Sequence, residues 1–201
     1  MNAPPPLDVM GLRERKKAKT RRSIQEHALR LFEERGYDST TVEQIAEAAQ
    51  VSTSTFFRYF PTKEDVVLHN DHSLPLCVAL AAQPEGIPML TALRNTFREV
   101  LGRIPQAEMT RLLARSRLLP AIPALHGGAM RRMFATIDPL SRIVGARLAR
   151  DPGDPRVQVL CGAIIGALVR VLCQWTEQDG RRPLADMVDE AIDYLEQGFR
   201  P

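Results

Sequence analysis

The chain has little cysteine: three in 201 residues, Cys77, Cys161 and Cys173, with no CxxC spacing. That excludes a disulfide framework and a thiolate zinc site, and predicts buried, reduced thiols in a cytosolic setting. Long apolar runs are also missing. The longest, Val159–Val169, has 11 residues, where about 18–20 are needed to cross a bilayer. The first ten residues, MNAPPPLDVM, lack the cationic segment and apolar stretch of a secretory signal. A soluble, cytoplasmic protein without a membrane partner is expected. No stretch alternates apolar and polar residues as a half-buried strand does, and no segment repeats. There is no GxSxG, Walker loop, HExxH or paired-carboxylate arrangement, so neither an enzyme nor a cofactor is expected. His69 and His72, flanking Asp71, share a helix face, but no second ligand pair accompanies them. They read as surface histidines, and no metal is expected. His27 and His126 stand alone.

What remains is ordinary in bulk and uneven in placement. Hydrophobic residues make up 44% and charged residues 25%, as in a globular protein. The net charge of +3 lies wholly in the first third: residues 1–63 hold 11 Lys/Arg against 8 Asp/Glu, the remainder 16 against 16. Seven of those cations fall between Arg13 and Arg22, Arg21 and Arg22 among them. Such a run can be a solvated helix face. Placed directly before two short helices, it suits contact with phosphate.

The periodicity predicts an all-α chain of about nine helices. Residues 1–10 are proline-rich and expected to be disordered. In the first helix, residues 11–35, Ile24, Ala28, Leu31 and Phe32 form one apolar stripe, and Gly36 supplies a left-handed stop. Thr41 is a fitting N-cap for the second helix, with Gln44 at the capping-box position and Val42, Ile45, Ala46 and Ala49 inward. The third opens near Ser52, buries Phe56 and Phe60, and ends at Pro61. Thr62 caps a fourth, expected to run to about residue 82. Further helices are expected at 88–103, 106–117, 123–149, 156–178 and 183–199. Gly127-Gly128 and Asp138-Pro139 are expected to kink or break the helix at 123–149. Residues 11–63 thus read as a small three-helix domain, and residues 64–201 as a larger helical domain.

The informative segment is residues 40–63, TTVEQIAEAAQVSTSTFFRYFPTK. Two short helices joined at a tight corner make a helix-turn-helix, whose second helix enters a major groove about 12 Å wide. Ser52, Thr53, Ser54 and Thr55 crowd the start of that helix, where small side chains let backbone approach base edges and phosphate. Ser52 fits a cap. Four hydroxyls in succession exceed what a cap requires.

Residues 21–66 resemble the DNA-binding domain of the TetR (tetracycline repressor) family. The order A-x-x-L-F-x-x-x-G-Y-x-x-T-T-V-x-x-I-A-x-x-A-x-V-S-x-x-T-F-F-x-Y-F-x-x-K is filled at almost every position. The resemblance implies that Thr41 donates to a DNA phosphate, that Thr53 and Ser54 face base edges, and that Tyr59 and Lys63 hold phosphates. Many family members carry Tyr where this chain has Phe57, so one phosphate contact is in doubt while contact with a thymine methyl stays open. Arg58 can reach guanine, or it can face backbone or solvent. Hydroxyls discriminate bases weakly, so specificity leans on DNA shape and on the flanking cations.

Residues 156–177 are apolar almost all round, so both sides of that helix must be covered. One cover is its own core; for the other, either a second copy or a larger internal core would serve. Gly162 and Gly166, four apart, permit close approach, with Ile165 and Val169 beside them and Ile192 and Leu195 from the last helix. The resemblance favours a homodimer, hence an inverted-repeat operator in double-stranded DNA. Phe97, Leu101, Met109, Met130, Phe134 and Ile137 are either plain core or the lining of a cavity, since methionine adapts to irregular apolar shapes. The resemblance implies a small-molecule effector there, and the composition a largely hydrophobic one. Expected, then, is a ligand-responsive transcriptional regulator that represses as a homodimer. Its rivals are a nonspecific architectural DNA binder and a small-molecule-sequestering protein with a vestigial DNA head.

Overall fold

A computed structural model describes residues 11–69 and 73–198. The tail at 1–10 expected to be disordered, the Asp71 and His72 of the histidine group, and residue 199 at the expected end of the last helix lie outside the described residues. Within them are ten helices and no strand: α1 (Leu12–Arg35), α2 (Val42–Ala48), α3 (Thr53–Tyr59), α4 (Lys63–Leu68), α5 (Ser73–Ala81), α6 (Met89–Gly102), α7 (Gln106–Ala121), α8 (Pro123–Arg147), α9 (Pro155–Glu177) and α10 (Leu184–Gln197). The chain divides into two compact units. One holds the residues up to His69 with Ile122–Leu125, and the other holds the rest.

The first unit is built around aromatic and branched side chains. Ile24, Ala28, Leu29, Leu31 and Phe32 of α1 are buried, with Ile45 and Ala46 of α2, Phe56 of α3, Phe60, and Val66 and Val67 of α4. The Phe56 and Phe60 rings lie 6.0 Å apart. Gln25 Nε2 donates to the Val66 carbonyl at 2.8 Å, joining α1 to α4. Helix α4, which sequence reading groups with the second domain, therefore packs in the first unit.

Three expectations change. The fourth helix does not run on to residue 82: α4 ends at Leu68, His69 is extended (φ −66°, ψ 126°), and helix resumes at Ser73. Conversely, α8 is continuous from Pro123 to Arg147 through Gly127, Gly128 and Pro139. A proline removes one helical bond, and long flanking turns can hold the helix across that gap. Helix α7 likewise reaches Ala121, with Pro120 in its last turn.

In the second unit, α6 packs on α10 and α5, and α9 on α10 and α7. Their contact is apolar: Leu93 and Phe97 of α6 meet Val157, Cys161, Ile164, Ile165, Val171 and Trp175 of α9 and Leu184, Met187, Val188 and Ile192 of α10, with Leu140 and Val144 from α8. Trp175 satisfies its indole N–H on the Arg182 carbonyl at 3.1 Å. By length and composition α9 is apolar enough to cross a bilayer, with a mean hydropathy of 1.9 over 18 residues. The uninterrupted-run criterion of the sequence reading misses this. Its buried stripe sits in the core just described, and its other face is taken up below.

Candidate nucleic-acid interface

The reading end of the first unit is fixed by a chain of caps. Gly36 ends α1 with φ 85°, a conformation that costs a glycine little. Thr40 is buried, and its hydroxyl donates to the Gly36 carbonyl at 2.8 Å, closing the turn. Thr41 then forms the full capping box: its oxygen accepts the Gln44 amide at 3.3 Å, and its own amide donates to Gln44 Oε1 at 3.0 Å. The hydroxyl proton remains available to an outside acceptor. Glu43 competes for it. Its carboxyl is held below the ordinary value by its own backbone amide and, second, by the Thr41 hydroxyl.

The corner between α2 and α3 is a Schellman turn. Val51 N–H donates to the Ala46 carbonyl at 2.9 Å and Gln50 N–H to that of Glu47 at 3.0 Å, with Gln50 at φ 55°. Sequence reading places the turn correctly but gives no hint that a glutamine, not a glycine, takes the left-handed position. Ser52 caps α3 by accepting the Thr55 amide at 3.1 Å, and its oxygen lies 2.9 Å from both Ser54 Oγ and Thr55 Oγ1. Three of the four hydroxyls are thus knitted into one cap. Ser52, Thr53 and Ser54 are exposed, and Thr55 is half-buried. Phe56 anchors the helix from below at 0% exposure, whereas Phe57, edge-on to it at 5.5 Å, is 49% exposed. The Arg58 guanidinium lies 5.5 Å from the centre of the Tyr59 ring. Thr41, Thr53, Ser54, Phe57 and Arg58 are all exposed on this small unit, with Tyr59 half-buried at the end of α3.

Lys63 is placed differently from the others. Its ammonium donates to the carbonyls of Tyr37 at 2.9 Å and Thr40 at 3.1 Å, and sits 4.2 Å from the centre of the Tyr37 ring. Of the cationic run, Arg13, Lys16, Lys17, Lys19 and Arg22 are exposed along the first turns of α1, and Arg21 is half-buried. Arg21 and Arg22 both have partners within the chain.

In the second unit the expected residues separate. On α9, Gly162 and Gly166 are exposed, with nothing within 4 Å of a Cβ placed on either. Val159 and Val169 on the same face are 71% and 44% exposed. Ile165 and Ile192, grouped with them from sequence, are instead buried in the chain's own core, and Leu195 is half-buried. A periodicity of 3.6 cannot say which flank of an all-apolar helix faces its own chain. Of the expected pocket lining, Phe97 does border a cavity of about 10 Å³, with Leu93, Ile164, Leu168, Val188, Ile192 and Leu195; that is room for about one water. Leu101, Met109 and Ile137 pack partly buried against the core. Met130 and Phe134 point outward, 50% and 59% exposed.

Comparison with known proteins follows the same division. A family profile described as bacterial regulatory proteins, tetR family, matches residues 24–69, and one described as MftR C-terminal domain matches residues 87–200. The HTH-type transcriptional regulator TcmR of Streptomyces glaucescens is 38% identical over 169 residues, covering 79% of this chain and 75% of that protein. The fatty acid degradation regulator FadR of Bacillus halodurans superposes with a TM-score of 0.63 at 20% identity, over 90% of this chain and 96% of that one. Thermus thermophilus FadR, a repressor solved in complex with lauroyl-CoA, superposes with a TM-score of 0.53 at 25% identity, over 90% of this chain and 95% of that one.

Proposed function

Because the chain belongs to the TetR family of bacterial regulatory proteins, a family of DNA-binding transcriptional regulators, we propose that it is a homodimeric repressor released from a pseudo-palindromic operator by a largely hydrophobic small molecule. One observation carries the DNA-reading half: an exposed, hydroxyl-rich start of α3, capped by Ser52 and anchored on a wholly buried Phe56. That end is rigid, small and polar, as close approach to base edges requires. Thr41 at the start of α2 and Tyr59 at the end of α3 take phosphates on either side. Arg21 and Arg22 add sequence-independent affinity. The first unit, α4 included, serves as the reading domain, and the second unit as the effector and dimerisation domain.

The open face of α9 supports the dimer. Val159, Gly162, Gly166 and Val169 recur at spacings of three, four and three, the period of one helix packed along another. Tyr194 of α10 is a further large exposed side chain, at 57%. Two copies joined there would present their α3 helices to half-sites about 34–36 Å apart. For the effector, the apolar interior supplies the argument, and the lauroyl-CoA in the Thermus thermophilus repressor supports an acyl-bearing class. The effector acts only through its differential affinity for two states, typically ~1–3 kcal/mol of coupling. The protein acts where its DNA is, in the cytoplasm.

Selection of bound sites from random duplex DNA tests this reading directly. Enrichment of a dyad-symmetric site, bound less tightly by Tyr59→Phe and Thr41→Val, is expected. Uniform binding to all sequences with a steep salt dependence would instead identify a nonspecific binder.

A further inference from the structure

We propose that Lys63 is a positioning residue: its ammonium ties the α1–α2 turn to the start of α4, fixes where Thr41 stands, and so governs DNA binding through the geometry of α2 and not by pairing with phosphate. The tie spans 26 residues to the Tyr37 carbonyl and 23 to that of Thr40, at 2.9 and 3.1 Å. An ammonium has three protons, and here two are taken by these carbonyls. Its remaining side lies over the Tyr37 ring, 4.2 Å from the centroid, where the negative face of the π-system holds a cation. Tyr37 is itself buried against Phe32, ring centres 4.9 Å apart. The cation therefore rests on a fixed platform.

What it holds is a short turn whose other bonds are local. The Thr40 amide reaches the Tyr37 carbonyl at a long 3.3 Å, the Thr40 hydroxyl reaches the Gly36 and Leu31 carbonyls at 2.8 and 3.3 Å, and the Gly36 amide reaches that of Phe32 at 3.0 Å. The next residue is Thr41, the N-cap of α2. Movement at the Thr40 carbonyl is movement at Thr41, and with it the capping box and the start of α2. A compact ammonium can converge on two carbonyls above a ring. A planar guanidinium, with its donors in a fixed fork, cannot reproduce that arrangement. A phosphate contact would make the opposite demand, since arginine serves phosphate at least as well as lysine.

This assignment rests on the DNA-binding reading, but its first test uses free protein and can fail separately. Hydrogen exchange would be compared in wild type, Lys63→Met and Lys63→Arg without DNA. For both variants the amides of residues 38–44 are expected to exchange about tenfold faster or more, as loss of a charge-assisted bond implies, while those of α9 and α10 are unchanged. With operator DNA, both are expected to bind about tenfold more weakly, with an unaltered slope of log affinity against log salt. Unchanged exchange at 38–44 in both variants overturns the proposal. So does full affinity in Lys63→Arg, or a slope shallower by about 0.9 in Lys63→Met, the mark of one lost phosphate contact. If Lys63→Met does not fold, Lys63→Arg alone still decides.

Discussion

The Arg94 guanidinium of α6 donates to the Asp193 carboxylate of α10 across 2.6 Å, with Glu196 one turn on at 3.2 Å. The Arg94 side chain is 17% exposed and that of Asp193 48%, so the cation, not the anion, is the desolvated partner. Beside it Arg98 Nε donates to Asp189 Oδ2 at 2.6 Å. The two pairs close one edge of the α6–α10 seam, whose interior is Leu93, Phe97, Val188 and Ile192.

Arg94→Met keeps the apolar stem and removes the charge. The expected cost is about 1–2 kcal/mol, between an exposed ion pair and a bond to a buried charged group. For a chain of this size the melting midpoint should drop by roughly 2–8 °C. Asp193→Asn should cost as much or more, because it leaves the desolvated guanidinium short of a carboxylate, whereas Arg94→Met leaves Asp193 in water. Calorimetry showing a clearly smaller loss in Asp193→Asn would reverse the assignment of the buried partner.

Gly145 offers a test inside α8. A Cβ at that position would stand 2.9 Å from the Arg150 carbonyl oxygen and 3.3 Å from Pro152 backbone atoms. These are backbone atoms, fixed further by the Arg150 amide bonded to the Gly145 carbonyl at 2.9 Å. Although alanine ordinarily favours a helix interior over glycine, Gly145→Ala is expected to destabilise by about 1–3 kcal/mol, as overpacking does. A rise in midpoint would show that the α8–α9 loop gives way.

The DNA-reading unit was legible because its signals are local. Thr41 with Gln44, Ser52, Pro61 and Thr62 each act within three residues of the backbone group they serve, and all three of these caps form as read. Bonds that reach across the chain leave no such pattern. The hold of Lys63 on residues 37 and 40 is of that kind, and the family resemblance, which assigned it a phosphate, gave no sign of it. The second unit shows a different limit. Periodicity finds apolar helices but not which side their own chain covers, so Ile165 and Met130 exchanged places between inside and outside. Proline rules failed mildly in α7 and α8, where helix continues through Pro120 and Pro139 across one missing bond.

Phe57, 49% exposed beside buried Phe56, has no hydroxyl to offer a phosphate. In free protein Phe57→Tyr places an oxygen in water, so stability should change by less than about 0.5 kcal/mol. On DNA that oxygen would meet backbone phosphate, and operator affinity should rise about fivefold, one hydrogen bond's net worth. Tyr59→Phe should lower it by a similar factor. Mobility-shift titrations at one salt concentration compare the three proteins. Affinity reduced in Phe57→Tyr would mean that the ring contacts an apolar base edge.

Gly162 and Gly166 permit a test whose sign carries the answer. In the single chain a methyl on either meets nothing within 4 Å, and alanine stabilises a helix interior by roughly 0.5–1 kcal/mol over glycine. If α9 presented that face to water, Gly162→Ala and Gly166→Ala would each raise the melting midpoint at every protein concentration. Against a second copy the same methyls would hold two helices apart where small residues let them approach. Sedimentation equilibrium should then show dimer dissociation raised by about tenfold or more in the double variant, as for a residue at the centre of an interface. Its dilute, monomeric form would melt slightly higher than wild type. A double variant that gains stability while dimerising as before would remove these glycines from the interface and leave Val159 and Val169 uncovered.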